Sequence, residues 1–206
     1  MSSLKLFQLE KNYDEIRITV MTNVVKMLTE RGIIKKEHMD KKIDEIKKVQ
    51  SDDQTYQIKT DKDTYAVVYV PQKITSINKS YGVIDFLNTF KSSPKFVIVK
   101  EISKKIEQHI LTNYPNTEIF MEKDLMINLV DHDLVPKHEL LTPEEAETFY
   151  EKYNCKKRNM PKLLSGDPVA KYYNMKPGNI VRIIRPSEKT GEIISYRLVV
   201  KGSISI

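Results

Sequence analysis

Proline fixes φ and removes a backbone donor, so it stands at helix starts, turns and strand edges and rarely inside a regular element. Six of the nine prolines of this chain lie after residue 130. That skew restricts the last third to short elements with sharply defined ends. Thr142-Pro143-Glu144-Glu145 combines an N-cap threonine, proline at the first helical position and a capping-box glutamate, and predicts a helix running to about Tyr153. Asp167-Pro168 repeats the logic for a short helix that Asn174 can stop in the left-handed region. Pro177-Gly178 has the order of a type II turn. Apolar runs over 180–185 and 192–200 flank a loop at 187–191 with glycine at its end, a hairpin. These signals predict a small mixed α/β domain over residues 131–206.

Residues 1–130 follow a different pattern. Ile16, Val20, Val24 and Leu28 fall at i, i+4 steps and predict a helix over 10–31, with Gly32 as a left-handed stop. A more polar helix is expected over 40–49, its lysines a solvated face. Two strands are expected over 55–60 and 64–70, joined at Asp61-Lys62-Asp63, the second stopped by Pro71. A helix over 81–90, a strand over 95–100 and a helix over 102–114 follow. Leu125, Ile127 and Leu129 alternate and suggest that the chain re-enters a sheet. Alternating strands and helices argue for a layered α/β domain. The whole chain is therefore expected to be α+β, with one domain over 1–130 and another over 131–206.

Composition limits function. No apolar run approaches the roughly 18 residues that span a bilayer, and the first ten residues lack the core of a signal peptide. One cysteine, Cys155, rules out an intrachain disulfide and a cysteine-based zinc site; a reducing, intracellular location is expected. The net charge of +6 is spread evenly, with 21 basic against 18 acidic residues up to position 124 and 13 against 10 after it. Such a balance permits contact with nucleic acid without concentrating it. Four of the six arginines lie after residue 157. Arginine's planar fork suits specific interfaces, so fixed contacts are expected there.

Several stretches of the last third resemble one family. They are Asp133-Leu134-Val135-Pro136-Lys137-His138, Gly166-Asp167-Pro168-Val169-Ala170-Lys171-Tyr172-Tyr173, and Ile183-Ile184-Arg185-Pro186-Ser187-Glu188 with Gly191 and Tyr196-Arg197-Leu198-Val199 beyond. Pro161 and Thr142 also sit at matching places. In order and spacing these are similar to subunit five of the eukaryotic RNA polymerases and to its archaeal counterpart. The archaeal form is similar only to the C-terminal domain, whereas the element order of the first 125 residues fits the two-domain eukaryotic type. The lysine- and isoleucine-heavy composition leans towards a homologue encoded by a large cytoplasmic DNA virus, such as African swine fever virus.

The resemblance implies a non-catalytic subunit without cofactor or metal. It implies an N-terminal jaw of nuclease-like topology beside downstream duplex DNA, contacted without sequence reading, and a C-terminal assembly domain on the largest polymerase subunit. It implies other polymerase subunits as partners and no membrane or small-molecule substrate. The location is the nucleus for a cellular enzyme, or the cytoplasmic factory and virion for a viral one. The implied assembly residues are Pro136, His138, Asp167, Pro168, Val169, Arg182, Ile183, Arg185, Pro186, Tyr196 and Arg197. Where the family's jaw carries a Thr-Pro-Ser-Ala turn, this chain has a shortened Lys100-Glu101-Ile102-Ser103-Lys104-Lys105; Lys100, Lys104 and Lys105 are the DNA-proximal candidates. Residues 201–206 run past the usual end, as an added strand or a partner tag.

Catalytic readings are weaker. Cys155 has basic neighbours but no nearby histidine to make a nucleophile pair. Asp131, His132, Asp133 and His138 make a loose ligand set, yet on a strand His132 would point away from the two aspartates. A nuclease centre needs acidic residues at strand ends, and Asp85 is expected inside a helix. With six glycines the chain has no phosphate cradle. Arg185 and Arg197 lie in apolar strands, where a partner is expected, either internal, such as Glu188, or on another chain. Lys156, Lys157, Arg158 and Lys162 read as a solvated cluster, and Tyr172 and Tyr173 as core. The competing functional classes are a free-standing DNA-binding module and a metal-dependent nuclease.

Overall fold

A computed structural model describes residues 12–49, 54–60, 63–76 and 82–202. The chain divides into two compact units between Ile127 and Asn128.

The first unit is built on a four-stranded sheet in the order β1 (Thr55–Lys59), β2 (Thr64–Ile74), β3 (Lys95–Ile102), β4 (Thr117–Met121). β1 is antiparallel to β2, and β2, β3 and β4 are mutually parallel. Residues 66–70 and 95–99 are buried on both faces, which explains their near-continuous apolar character. α3 (Val83–Thr89) and α4 (Lys104–Asn113) cover one face, packing Val83, Phe86, Leu87, Ile106 and Ile110 against Val68, Val70, Val97 and Val99. α1 (Tyr13–Glu30) lies on the other face, with Tyr13 stacked on Tyr69 at one end and Arg31 over Phe96 beyond the other. Gly32 has φ 70°, and the Gly32 and Ile33 amides donate to Thr29 O and Leu28 O, which satisfies the last carbonyls of α1. α2 (Met39–Lys47) buries Ile43 and Ile46.

Three buried charges are internally matched. The Arg31 guanidinium grips Glu118 through two bonds of 3.0 and 2.8 Å. The Arg17 guanidinium donates to Tyr56 Oη at 2.7 Å. Lys95, 1% exposed, points its ammonium at the carbonyls of Phe90, Lys91, Ser93 and Pro115 at 3.0–3.2 Å.

Several expectations need correction here. Pro71 does not stop β2. It sits beyond the last residue paired with β1, Val68, and at a register shift against β3, so its missing donor costs no ladder bond. Ile102 ends β3 rather than starting a helix. Residues 125–129 form no strand: α5 (Glu122–Leu125) ends there and a 3-10 turn follows at Leu129–Asp131. The chain re-enters the sheet earlier, at β4, directly after Asn116 with φ 59°. Residues 10–11, Asp61, Lys62, Tyr81 and 203–206, to which expectations were attached, lie outside the described residues.

The second unit carries the sheet β5 (Lys137–Leu140), β7 (Ile180–Ser187), β8 (Gly191–Val200), β6 (Lys162–Leu164). β7 pairs antiparallel with β5 and β8, whereas β6 runs parallel to β8. α6 (Pro143–Tyr153) packs on one face through Phe149 against Ile180 and Leu198. α7 (Pro168–Tyr172) packs on the other through Ala170 against Val181, Ile183 and Val199. Both halves of the capping box at Thr142 and Glu145 are formed. Asp167 caps α7 by accepting from the Val169 amide at 2.9 Å. The Asn179 amide donates to Lys176 O across the Pro177-Gly178 turn, where Gly178 has φ 99°.

Candidate functional site

β5 places His138 opposite Ile183 at the edge of the second sheet. Its Nδ1–H donates to Pro136 O at 2.6 Å, leaving Nε2 as the ring's open acceptor. Asp167, Arg185 and Arg197 all lie within electrostatic range of this imidazole. Burial pushes the His138 pKa below its ordinary value; the Pro136 carbonyl and Asp167 oppose that, and the two arginines add to it. The convergence follows from register. Val181, Ile183 and Arg185 alternate onto one face of β7, and Arg197 lies across from Val181 on β8. The stretches that carry the family resemblance, scattered over more than 60 residues of sequence, together bring His138, Asp167, Arg185 and Arg197 to this region.

Arg185 is exposed and Arg197 half-buried, and neither has a hydrogen bond or ion pair among the described residues. Of the two partners expected for them, the internal one, Glu188, is not used.

The remaining site residues separate. Arg182 and Tyr196 are opposite each other on the other face, with the guanidinium 5.9 Å from the ring. Arg182 is held by Glu139 at 3.2 Å and approached by Glu145 at 3.9 Å. With Phe149, Tyr153 and Tyr196 it lines a groove of about 310 Å³. The α6 aromatics in that groove were missed from sequence; Phe149 and Tyr153 at i, i+4 are the signal that was available. Ile183 is 2% exposed and belongs to the core under α7, so its side chain is not offered to any partner. Pro168 and Pro186 are exposed and Val169 is half-buried.

In the first unit Lys100 is exposed near the end of β3, and Lys104 and Lys105 are exposed in the first turn of α4. Lys73 pairs with Glu101 at 2.5 Å, and Lys100 and Lys123 also lie within range of that carboxylate, which the Lys73 hydrogen bond first of all holds below its ordinary pKa. Basic side chains thus gather at the carboxyl ends of the parallel strands.

Asp131, His132 and Asp133 lie on a 3-10 turn and the loop after it, not on a strand, so the alternation argument does not apply to them. Among the described residues no three of His, Cys, Asp and Glu come together as a metal-binding group. Asp85 is exposed on α3, and Cys155 is half-buried against the α6 core. No helix among the described residues is long and apolar enough to cross a membrane.

Comparison with known proteins shows what the chain is similar to. Residues 127–199 match the family model described as RNA polymerase Rpb5, C-terminal domain. DNA-directed RNA polymerase subunit 5 of Acanthamoeba polyphaga mimivirus is 32% identical over 198 residues, covering 93% of this chain and 95% of that protein. A subunit shared by DNA-directed RNA polymerases I, II and III of Dictyostelium discoideum is 32% identical over 155 residues, 70% of this chain and 77% of that protein. Its counterpart in Caenorhabditis elegans is 45% identical over 83 residues, 40% of this chain and 39% of that protein.

Proposed function

The chain belongs to the family of subunit 5 of the DNA-directed RNA polymerases, and we propose that it is a non-catalytic architectural subunit of such an enzyme. The observation that carries this reading is the similarity to the mimivirus subunit, which runs through 93% of the chain and so includes both units. The second unit is the assembly domain. It docks on the largest polymerase subunit through the face that holds His138, Arg185 and Arg197. Pro136 and Asp167 set that face by holding the imidazole and capping α7.

The first unit is the lower jaw beside downstream duplex DNA. Lys100, Lys104 and Lys105 supply non-specific attraction to phosphates, a term that falls with salt and reads no bases. The subunit takes part in no bond-making step. Its place of work is that of the polymerase, the nucleus or a viral factory.

Native purification of the tagged chain from its source, with mass spectrometry of what accompanies it, tests the assembly role. Recovery of the two largest polymerase subunits at near-equal stoichiometry is expected; recovery of the chain alone from an extract with intact polymerase would refute it. Charge reversal at Lys100, Lys104 and Lys105 tests the jaw. The assembled enzyme should bind DNA more weakly and with a shallower salt slope, and an unchanged slope removes these lysines from the reading.

A further inference from the structure

The β7–β8 hairpin extends past both of its neighbours. β5 pairs with β7 only as far as Ile184, and β6 pairs with β8 only from Leu198 onward. The limit on β6 has a chemical cause. The Leu198 amide donates to Pro161 O, so the next step of the parallel ladder would need an amide proton from Pro161, which has none. The edge of β8 is therefore open from Tyr196 back to Glu192.

Backbone direction along this edge follows from the period of two. Leu198 N and Val200 O are bonded on the β6 side, to Pro161 and Ser165, whereas Val199 bonds on the β7 side, to Gly178 and Asn179. Ile194 and Tyr196 share the parity of Leu198, so their N–H and C=O groups aim at the open edge. Ile193 and Ser195 aim theirs at β7. Five residues, 192–196, at about 3.3 Å each, make an edge of roughly 17 Å, the length of an ordinary strand.

Glu192 is the one charged side chain on this edge, and no proline or bulge interrupts it. Ile193 and Ile194 are each 52% exposed and lie on opposite faces of the sheet. Ile193 shares its face with Arg185, its partner across β7, and with the half-buried Arg197 four residues on. Two apolar side chains, a row of outward amides and carbonyls, and a guanidinium without a partner among the described residues sit on one five-residue stretch and its end.

We propose that an extended segment of another polymerase subunit completes this sheet by pairing with β8 along 192–196. That segment carries a carboxylate for Arg197 on one face and apolar side chains against Ile193 and Ile194. Main-chain bonds fix its register, and the side chains select it. The occupant is a protein strand because the edge offers alternating donors and acceptors at strand spacing, and it is acidic because Arg197 lacks a counter-charge. The inference rests on the polymerase-subunit reading and adds the mode of attachment.

The test is hydrogen exchange on the free chain and on the purified polymerase that contains it. The amides of Ile194 and Tyr196 should exchange fast in the free chain and at least 100-fold slower in the assembled enzyme, while those of Ile193 and Ser195, bonded to β7, are protected in both. Ile194→Pro removes one outward donor and no bond to β7, and should lower retention in the polymerase at least ten-fold while the free variant keeps its circular dichroism. Arg197→Ala should lower retention less, and Arg197→Glu more. If the chain co-purifies with polymerase yet 192–196 exchange as fast as in the free chain, the strand-pairing inference is overturned and the subunit reading stands. Protection that appears in the free chain and rises with its concentration would also overturn it, since a second copy would then occupy the edge.

Discussion

The two units treat their arginines and lysines differently. In the first, Arg31 is clamped by Glu118, Arg17 by Tyr56, and Lys95 by four carbonyls. In the second, Arg182 is held by Glu139, but Arg185 and Arg197 on the opposite face have no partner among the described residues. A half-buried guanidinium left unmatched lowers the stability of the isolated fold. The contrast teaches where to look for attachment. Cations that close the fold's own polar account belong to folding, and cations the fold leaves open belong to an interface.

The comparison is broken most severely in the cores. Ile183→Glu would bury a carboxylate beneath α7 and should cost about 4 kcal/mol or more, enough to unfold the second unit. Ile194→Glu, at a position half-exposed, should leave the melting temperature nearly unchanged and act on assembly instead. Equal thermal destabilisation by the two variants would mean that the hairpin tip is core.

Lys95→Met keeps the apolar stem and removes the ammonium, leaving four inward carbonyls to find other donors. A loss of about 3 kcal/mol is expected, read from urea unfolding of the full chain. A loss under about 1 kcal/mol would show that those carbonyls are hydrated and that the ammonium closes nothing.

What the sequence made legible divides along the same physical line. Features decided within a few residues were readable: the left-handed stop at Gly32, the capping box at Thr142, the turn at Pro177-Gly178. Features decided by a neighbouring strand were not. β4, β5 and β6 are three to five residues long and carry Glu118, Lys137, Glu139 and Lys162 among their few positions, so no apolar period announces them. Leu125, Ile127 and Leu129 imitate a strand by spacing alone: they fall at the end of α5, in a bend and at the start of a 3-10 turn, and Ile127 is 67% exposed where Leu125 is buried. For the site, the sequence names arginines and a histidine through a resemblance, but the face each occupies depends on pairing register. Arg182 and Arg185 differ by three positions and therefore point to opposite sides of the sheet.

A milder effect should appear with pH. The folded-state pKa of His138 lies below the ordinary 6.5, with burial as the first cause, Arg185 and Arg197 adding to it, and Asp167 and the Pro136 carbonyl opposing. Below pH 6.5 the unfolded chain then binds more protons at this residue than the folded one, so stability rises with pH through this window. The contribution is fully present above about pH 6.5 and is lost as pH falls through the folded value. His138→Gln should flatten the fall in melting temperature between pH 7 and pH 5 relative to the parent chain. A variant that tracks the parent throughout would mean that His138 keeps an ordinary pKa.

The smallest effect on stability is expected at two residues that the comparison assigns to assembly. Arg185 and Arg197 have no internal bond to lose, so alanine at either site should change the unfolding free energy by no more than about 0.5 kcal/mol. A slight gain at Arg197 would fit best, because an unmatched, half-buried charge is removed. Arg31→Ala provides the opposite control. It discards two bonds to Glu118 and the stacking on Phe96, and should cost about 3 kcal/mol while leaving any interface of the second unit untouched. Measured together by urea unfolding and by retention in the polymerase, the three variants should fall in two classes: Arg31→Ala unstable but retained wherever it folds, Arg185→Ala and Arg197→Ala stable but poorly retained. Were Arg197→Ala to destabilise the free chain as much as Arg31→Ala, the second unit would be using its arginines as the first does, and the distinction between folding cations and docking cations would fail.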